Sequence, residues 1–151
     1  MNVLRILLGL GAAGATAAGI FFGLGVKEKE DKYSIQMARY RNVATQVKSL
    51  IDSNQAIRGT DLVVMDPESE KWDNYWKGLS TYKKDYIVKW IPSDVVGGDW
   101  TKFRDWCFEK MEARQTDLKD ENISTYFNET SSGNDEKVLW PWCVPTSGEV
   151  K

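Results

Sequence analysis

The amino-acid sequence predicts a mainly α-helical protein: an N-terminal transmembrane helix, then a small domain of about three main helices with an irregular C-terminal tail. Three observations carry that reading. Residues 1–26 hold one charged side chain, Arg5, before the charge run Lys27-Glu28-Lys29-Glu30-Asp31-Lys32. Beyond it, apolar and aromatic residues recur at three- and four-residue spacings over three stretches, the period of helices with one buried face. Turn and capping residues separate those stretches. The chain therefore reads as an anchor at 1–26, a charged neck at 27–32 and one α-helical domain at 33–151, long enough for a single modest core.

The anchor comes first. From Ile6 to Val26 run 21 residues without a charge, and a helix of ~20 apolar residues spans the ~30 Å hydrocarbon core of a bilayer. Its six glycines disfavour a helix in water, but in lipid the cost of unpaired backbone groups enforces one. A cleaved signal peptide is the competing reading, because Ala15-Thr16-Ala17 has the small-x-small form of a cleavage site; against it, the apolar run continues to Val26. Gly9-Leu10-Gly11-Ala12-Ala13-Gly14 also matches the dinucleotide-binding G-x-G-x-x-G after the apolar stretch Val3 to Leu8. The residues that follow lack the polar helix face and second strand such a fold requires. Within the span, Gly11, Ala15, Gly19 and Gly23 form one stripe of small residues, a surface for self-association if a partner helix exists and an ordinary feature of spans if none does.

In the domain, Tyr33, Met37, Tyr40, Val43, Ala44, Val47, Leu50 and Ile51 mark a first helix between Tyr33 and Ile57, with Gly59 placed to end it. Leu62-Val63-Val64-Met65 reads as a short extended or turn segment. Asp66-Pro67-Glu68 is a helix start, with a capping oxygen, a proline where its missing N–H is harmless and an acid near the positive end. The second helix is expected to run to about Asp85 on the stripe Trp72, Tyr75, Trp76, Leu79, Tyr82 and Tyr86. Trp90-Ile91-Pro92 breaks the pattern. Gly97-Gly98-Asp99 then sets up a third helix, capped by Asp99, with Trp100, Phe103, Trp106, Cys107 and Met111 inward. Asp117 to Glu136 lacks periodicity, and Ser131-Ser132-Gly133-Asn134 reads as a loop. The proline-broken apolar end, Val138 to Pro145, is expected to dock over the helices as an extended tail.

Composition excludes more chemistry than it suggests. The chain has no histidine, so the commonest general base and the commonest metal ligand are both missing. Setting Arg5 aside leaves 19 basic against 22 acidic side chains, no basic field for nucleic acid. Two cysteines without a C-x-x-C pair cannot form a structural zinc site, and no cofactor is expected. Asp105, Glu109, Glu112, Asp117, Asp120 and Glu121 could supply a carboxylate pair for hydrolysis, but a helical surface rich in acids offers such pairs without function. Asn122-Ile123-Ser124 and Asn128-Glu129-Thr130 match N-x-[ST], a pattern that also arises by chance. Of the seven tryptophans, most sit at core spacing; Trp140 and Trp142, flanking Pro141, are the expected exposed pair for recognition.

Cys107 and Cys143 are expected to form a disulfide. They are the only two cysteines, each follows a tryptophan, and the tail has no regular structure to hold it down. Closing a loop of about 37 residues would stabilise the domain by up to ~4 kcal/mol. Two reduced, buried thiols are the alternative. Orientation divides on the same point: a disulfide wants an oxidising exterior, whereas the lysines and arginines between Lys27 and Arg41 favour a cytoplasmic domain. The disulfide reading places the domain outside the cell.

The Gly/Ala-rich span, the charged neck, Phe103-Arg104-Asp105-Trp106-Cys107 and Leu139-Trp140-Pro141-Trp142-Cys143-Val144 together resemble large paralogous families of uncharacterised membrane-anchored proteins in haemotropic mycoplasmas. The resemblance implies surface exposure and assigns no functional residue. The expected function is thus a single-pass surface or interaction protein, not an enzyme, whose partners are membrane lipid and a protein or a second copy of itself. A membrane-tethered carboxylate hydrolase and a structural subunit assembling through its transmembrane helix are the alternatives.

Overall fold

The computed structural model describes residues 28–82, 89–128 and 139–150. Its α-helices are α1 (Glu28–Ser53), α2 (Lys71–Tyr82), α3 (Ser93–Val96), α4 (Trp100–Ala113), α5 (Ser124–Asn128) and α6 (Leu139–Cys143), with 3-10 turns at Gln115–Lys119 and Glu121–Ile123. Among the described residues there is no strand, only an isolated antiparallel bridge between Leu62 and Thr146. The protein is mainly helical, as its hydrophobic spacing predicts. The chain divides into two compact units, Met1–Asn42 and Val43–Lys151.

In the first unit the described part is the N-terminal portion of α1. Met37 and Tyr40 are buried, and the Gln36 amide donates to the Tyr40 hydroxyl at 2.8 Å. Tyr33, expected on the inward stripe, is instead 48 % exposed; the burial begins one turn later.

The second unit starts within the same helix, where Val43, Val47 and Ile51 are buried at helical spacing. α1 ends at Ser53 rather than at Ile57. Asn54 is the reason. Its side-chain amide donates to the carbonyls of Leu118 (2.7 Å) and Asp120 (2.9 Å), while its side-chain oxygen accepts from Ala56 N–H (2.9 Å). A side chain that bonds its own neighbourhood in this way competes with continuation of the helix. Ile57 is still buried, carried on the turn that follows, and Gly59 takes the left-handed conformation (φ 73°) that leads the chain away.

α2 begins at Lys71, five residues after the expected start at Asp66. The carbonyl of Asp66 accepts from Ser69 N–H (3.0 Å) and from the Trp72 indole N–H (2.9 Å), and Asp66 Oδ1 accepts from Glu68 N–H (2.9 Å). The Pro67 carbonyl accepts from the Arg104 guanidinium at 3.2 Å. Acceptors a helix would need are thus committed to a turn that seats Trp72 in the core. The expected end of the second helix, near Asp85, falls within 83–88, outside the described residues.

α4 forms where its sequence signals place it. Asp99 accepts from the N–H groups of Thr101 (2.9 Å) and Lys102 (3.4 Å), the cap that the first turn lacks internally. Phe103, Cys107, Phe108 and Met111 are buried, while Trp100 and Trp106 are only half-buried. α2 and α4 pack on each other through a layer of rings: Trp76 stacks on Phe103 with centroids 4.6 Å apart, and Trp72 meets Phe103 and Phe108 at 6.0 and 5.8 Å. These are the offset and tilted geometries that aromatic quadrupoles favour.

The C-terminal segment is not an extended tail. Leu139–Cys143 forms a helical turn, α6, with Val144 N–H bonded to the Trp140 carbonyl at 2.9 Å. Pro141 sits within its first turn, where a residue has no intrahelical acceptor to lose. The chain then runs beside 61–63, with Val63 N–H donating to the Pro145 carbonyl (2.7 Å) and Ser147 N–H to the Asp61 carbonyl (2.9 Å). A turn closed between Thr146 and Glu149 ends with Val150 buried.

Candidate functional site: a disulfide-tied aromatic core

Cys107 and Cys143 are joined by a disulfide, with Cα atoms 5.3 Å apart and a separation of 36 positions in sequence. Each position follows from its own element. Cys107 lies one turn after Phe103 on the buried face of α4, and Cys143 closes α6, which packs against α4. Both residues are buried at no more than 1 % exposure.

Around this bond the C-terminal segment is held at further points. The Tyr75 hydroxyl of α2 donates to the Trp142 carbonyl at 2.6 Å. Burial pushes the Tyr75 phenol well above its ordinary range, and the Glu149 carboxylate adds to that shift, so the group stays a neutral donor. The Trp140 indole N–H donates to Asp117 Oδ2 at 3.1 Å, and Arg114 holds the same carboxylate oxygen at 2.9 Å. Trp140 is 0 % exposed. The expectation of an exposed Trp140 and Trp142 pair is therefore corrected: Trp140 is a core residue whose N–H is met by the half-buried Asp117 carboxylate, and Trp142 is half-buried.

The other expected site residues scatter. Gly11, Ala15, Gly19 and Gly23, with the whole 1–26 span, lie outside the described residues. Among the described residues no helix is long and apolar enough to cross a membrane. Of the carboxylates, Asp105 pairs with Arg104 at 2.9 Å, Asp117 with Arg114, and Asp120 accepts from Asn122 N–H at 2.9 Å, while Glu109 and Glu121 are exposed. Among the described residues no group of three acids or cysteines is arranged to hold a metal ion. Asn122 of the first N-x-[ST] match is exposed on a 3-10 turn.

Two features were not legible in the sequence. Arg104 is 5 % exposed, its guanidinium spread between Asp105, the Pro67 carbonyl and the face of Trp100 at 5.3 Å. A charged residue on a helix gives no sign of burial, and only the adjacent Asp105 hinted at a pair. An open groove of about 340 Å³, lined by Leu50, Asn54, Ala56, Leu118 and Lys119 among others, lies where the end of α1 meets the 3-10 turn Gln115–Lys119. Its walls also carry Ser53 and Glu121; Ser53, Lys119 and Glu121 are all exposed, and the Ser53 hydroxyl donates to the Ser49 carbonyl at 2.7 Å.

No family model matches the sequence, and no curated protein and no solved structure matches it.

Proposed function

We propose that the protein is a single-pass, membrane-anchored surface protein whose helical domain, 33–151, faces an oxidising exterior and serves display or interaction with a partner. The observation that carries this reading is the buried Cys107–Cys143 disulfide, since such bonds persist outside the cell and are rare in reducing compartments. It outweighs the basic residues between Lys27 and Arg41, which taken alone argue for an inward domain. The uncharged run from Ile6 to Val26 supplies the anchor, and residues 27–32 the charged neck at the bilayer surface. The landmarks that resemble those of the paralogous membrane-anchored proteins of haemotropic mycoplasmas support that placement. The domain contributes no catalytic step in this reading, and its partners are membrane lipid and a protein or a second copy of the chain.

Carbonate extraction combined with trypsin treatment of intact cells tests it. The full chain is expected in the carbonate-resistant membrane pellet, with the domain removed by trypsin added from outside. Recovery in the soluble fraction would defeat the anchor, and protection of the domain in intact cells would defeat its orientation.

A further inference from the structure

The disulfide lies where no solution thiol can reach it. Reduction requires a thiolate to attack one sulfur along the line of the S–S bond, forming a mixed disulfide and expelling the other sulfur as thiolate. A second thiol of the reductant then releases the first cysteine, so that one dithiol is oxidised for each bridge reduced. Cys107 is covered within α4 and Cys143 within α6, at 0 % and 1 % exposure. The cover is itself fastened, by Tyr75 to the Trp142 carbonyl, by Asp117 to the Trp140 indole, and by the backbone pairs of 61–63 with 145–147.

We propose that the C-terminal segment 139–150 is a strap that gates the redox chemistry of its own disulfide: neither sulfur exchanges until α6 lifts from α4. The bond is consequently made while the chain folds, by exchange with an external disulfide that leaves reduced as its two thiols, before the strap closes, and afterwards it is a lock rather than a redox switch. A chain that folds without oxidant buries two thiols behind the same strap and stays reduced. The inference concerns the bond alone and does not rest on the anchor or on any partner.

The test is reduction of the oxidised full-length chain in detergent micelles by dithiothreitol, with remaining bridge counted by maleimide mass-tagging after acid quench. The expected rate is more than a hundredfold below that of the urea-denatured chain at equal reductant. It is expected to rise steadily with urea below the unfolding transition, because exchange is then limited by the opened population. Tyr75→Phe, which removes one fastening without a cavity, is expected to speed native reduction about fivefold, the worth of one hydrogen bond. A native rate within a hundredfold of the denatured one, or one that sub-denaturing urea leaves unchanged, would overturn the gate. Failure of membrane extraction or of the trypsin result would leave this measurement untouched.

Discussion

The disulfide joins two segments that are made in different ways. α4 has an aspartate cap and buried residues at 103, 107, 108 and 111, so that its position and inward face follow from neighbours in sequence. Residues 139–150 have few such signals. Their single helical turn, α6, is too short to be stable alone, and the partners that hold it come from Cys107, Tyr75, Asp117, Asp61 and Val63. The difference shows where stability resides: in α4 much of the order is local, whereas in the C-terminal segment it is nearly all tertiary. Disruption of the segment should therefore cost the domain more than disruption of the signals that start α4.

The strongest challenge to that contrast is Trp140→Ala. Removing a fully buried indole also leaves Asp117 without one of its donors, and a loss of about 3–5 kcal/mol is expected, much of a small domain's typical stability. Urea titration checks it; a loss below about 1 kcal/mol would mean that the segment contributes little to the core. Next is the Cys107→Ser, Cys143→Ser double variant, expected to cost up to about 4 kcal/mol through the lost loop constraint and to unfold at clearly lower urea. If it melts with the parent, the bond is incidental to the fold.

Tyr75→Phe is expected to cost about 1–2 kcal/mol, since the Trp142 carbonyl loses its donor, and it also has a signature in pH. The folded state holds the Tyr75 phenol neutral above its ordinary range. Its contribution is thus complete below the unfolded value near pH ~10 and is lost as pH rises from there towards the folded value. Tyr75→Phe should flatten that alkaline limb of the stability profile, and an unchanged limb would assign it to other groups.

The smallest effect belongs to α4's own start. Asp99→Ala is expected to cost about 1 kcal/mol, the usual worth of a cap. The Thr101 hydroxyl, chiefly, and the backbone N–H groups of Thr101 and Lys102 lower the Asp99 carboxyl below its ordinary range. Its contribution is therefore present above pH ~4 and is lost as pH falls through the lowered folded value. Should thermal melts show Asp99→Ala more damaging than Trp140→Ala, the contrast between the two segments would reverse.

Much of the helical layer was legible before the structure. The spacing of Met37, Tyr40, Val43, Val47 and Ile51 named the inward face of α1, and that of Trp72, Tyr75, Trp76 and Leu79 the face of α2. The candidate bond was legible from the cysteine count and its surroundings. Helix ends were less so, because Asn54 stops α1 by reaching Leu118 and Asp120, partners more than sixty positions away, and the Pro67 carbonyl is claimed by Arg104.

By itself the sequence determined the helical class, the faces of the main helices, the Asp99 cap and the pairing available to two cysteines. Each depends on side chains within a turn or two, or on a count. Only the tertiary structure decided that Trp140 is buried, that Arg104 is a core cation and that the C-terminal segment folds into a helical turn fastened over the disulfide. Those outcomes depend on groups supplied from distant positions. Burying the Trp140 indole N–H or the Arg104 guanidinium costs free energy unless such groups meet it, and no local pattern records that they do.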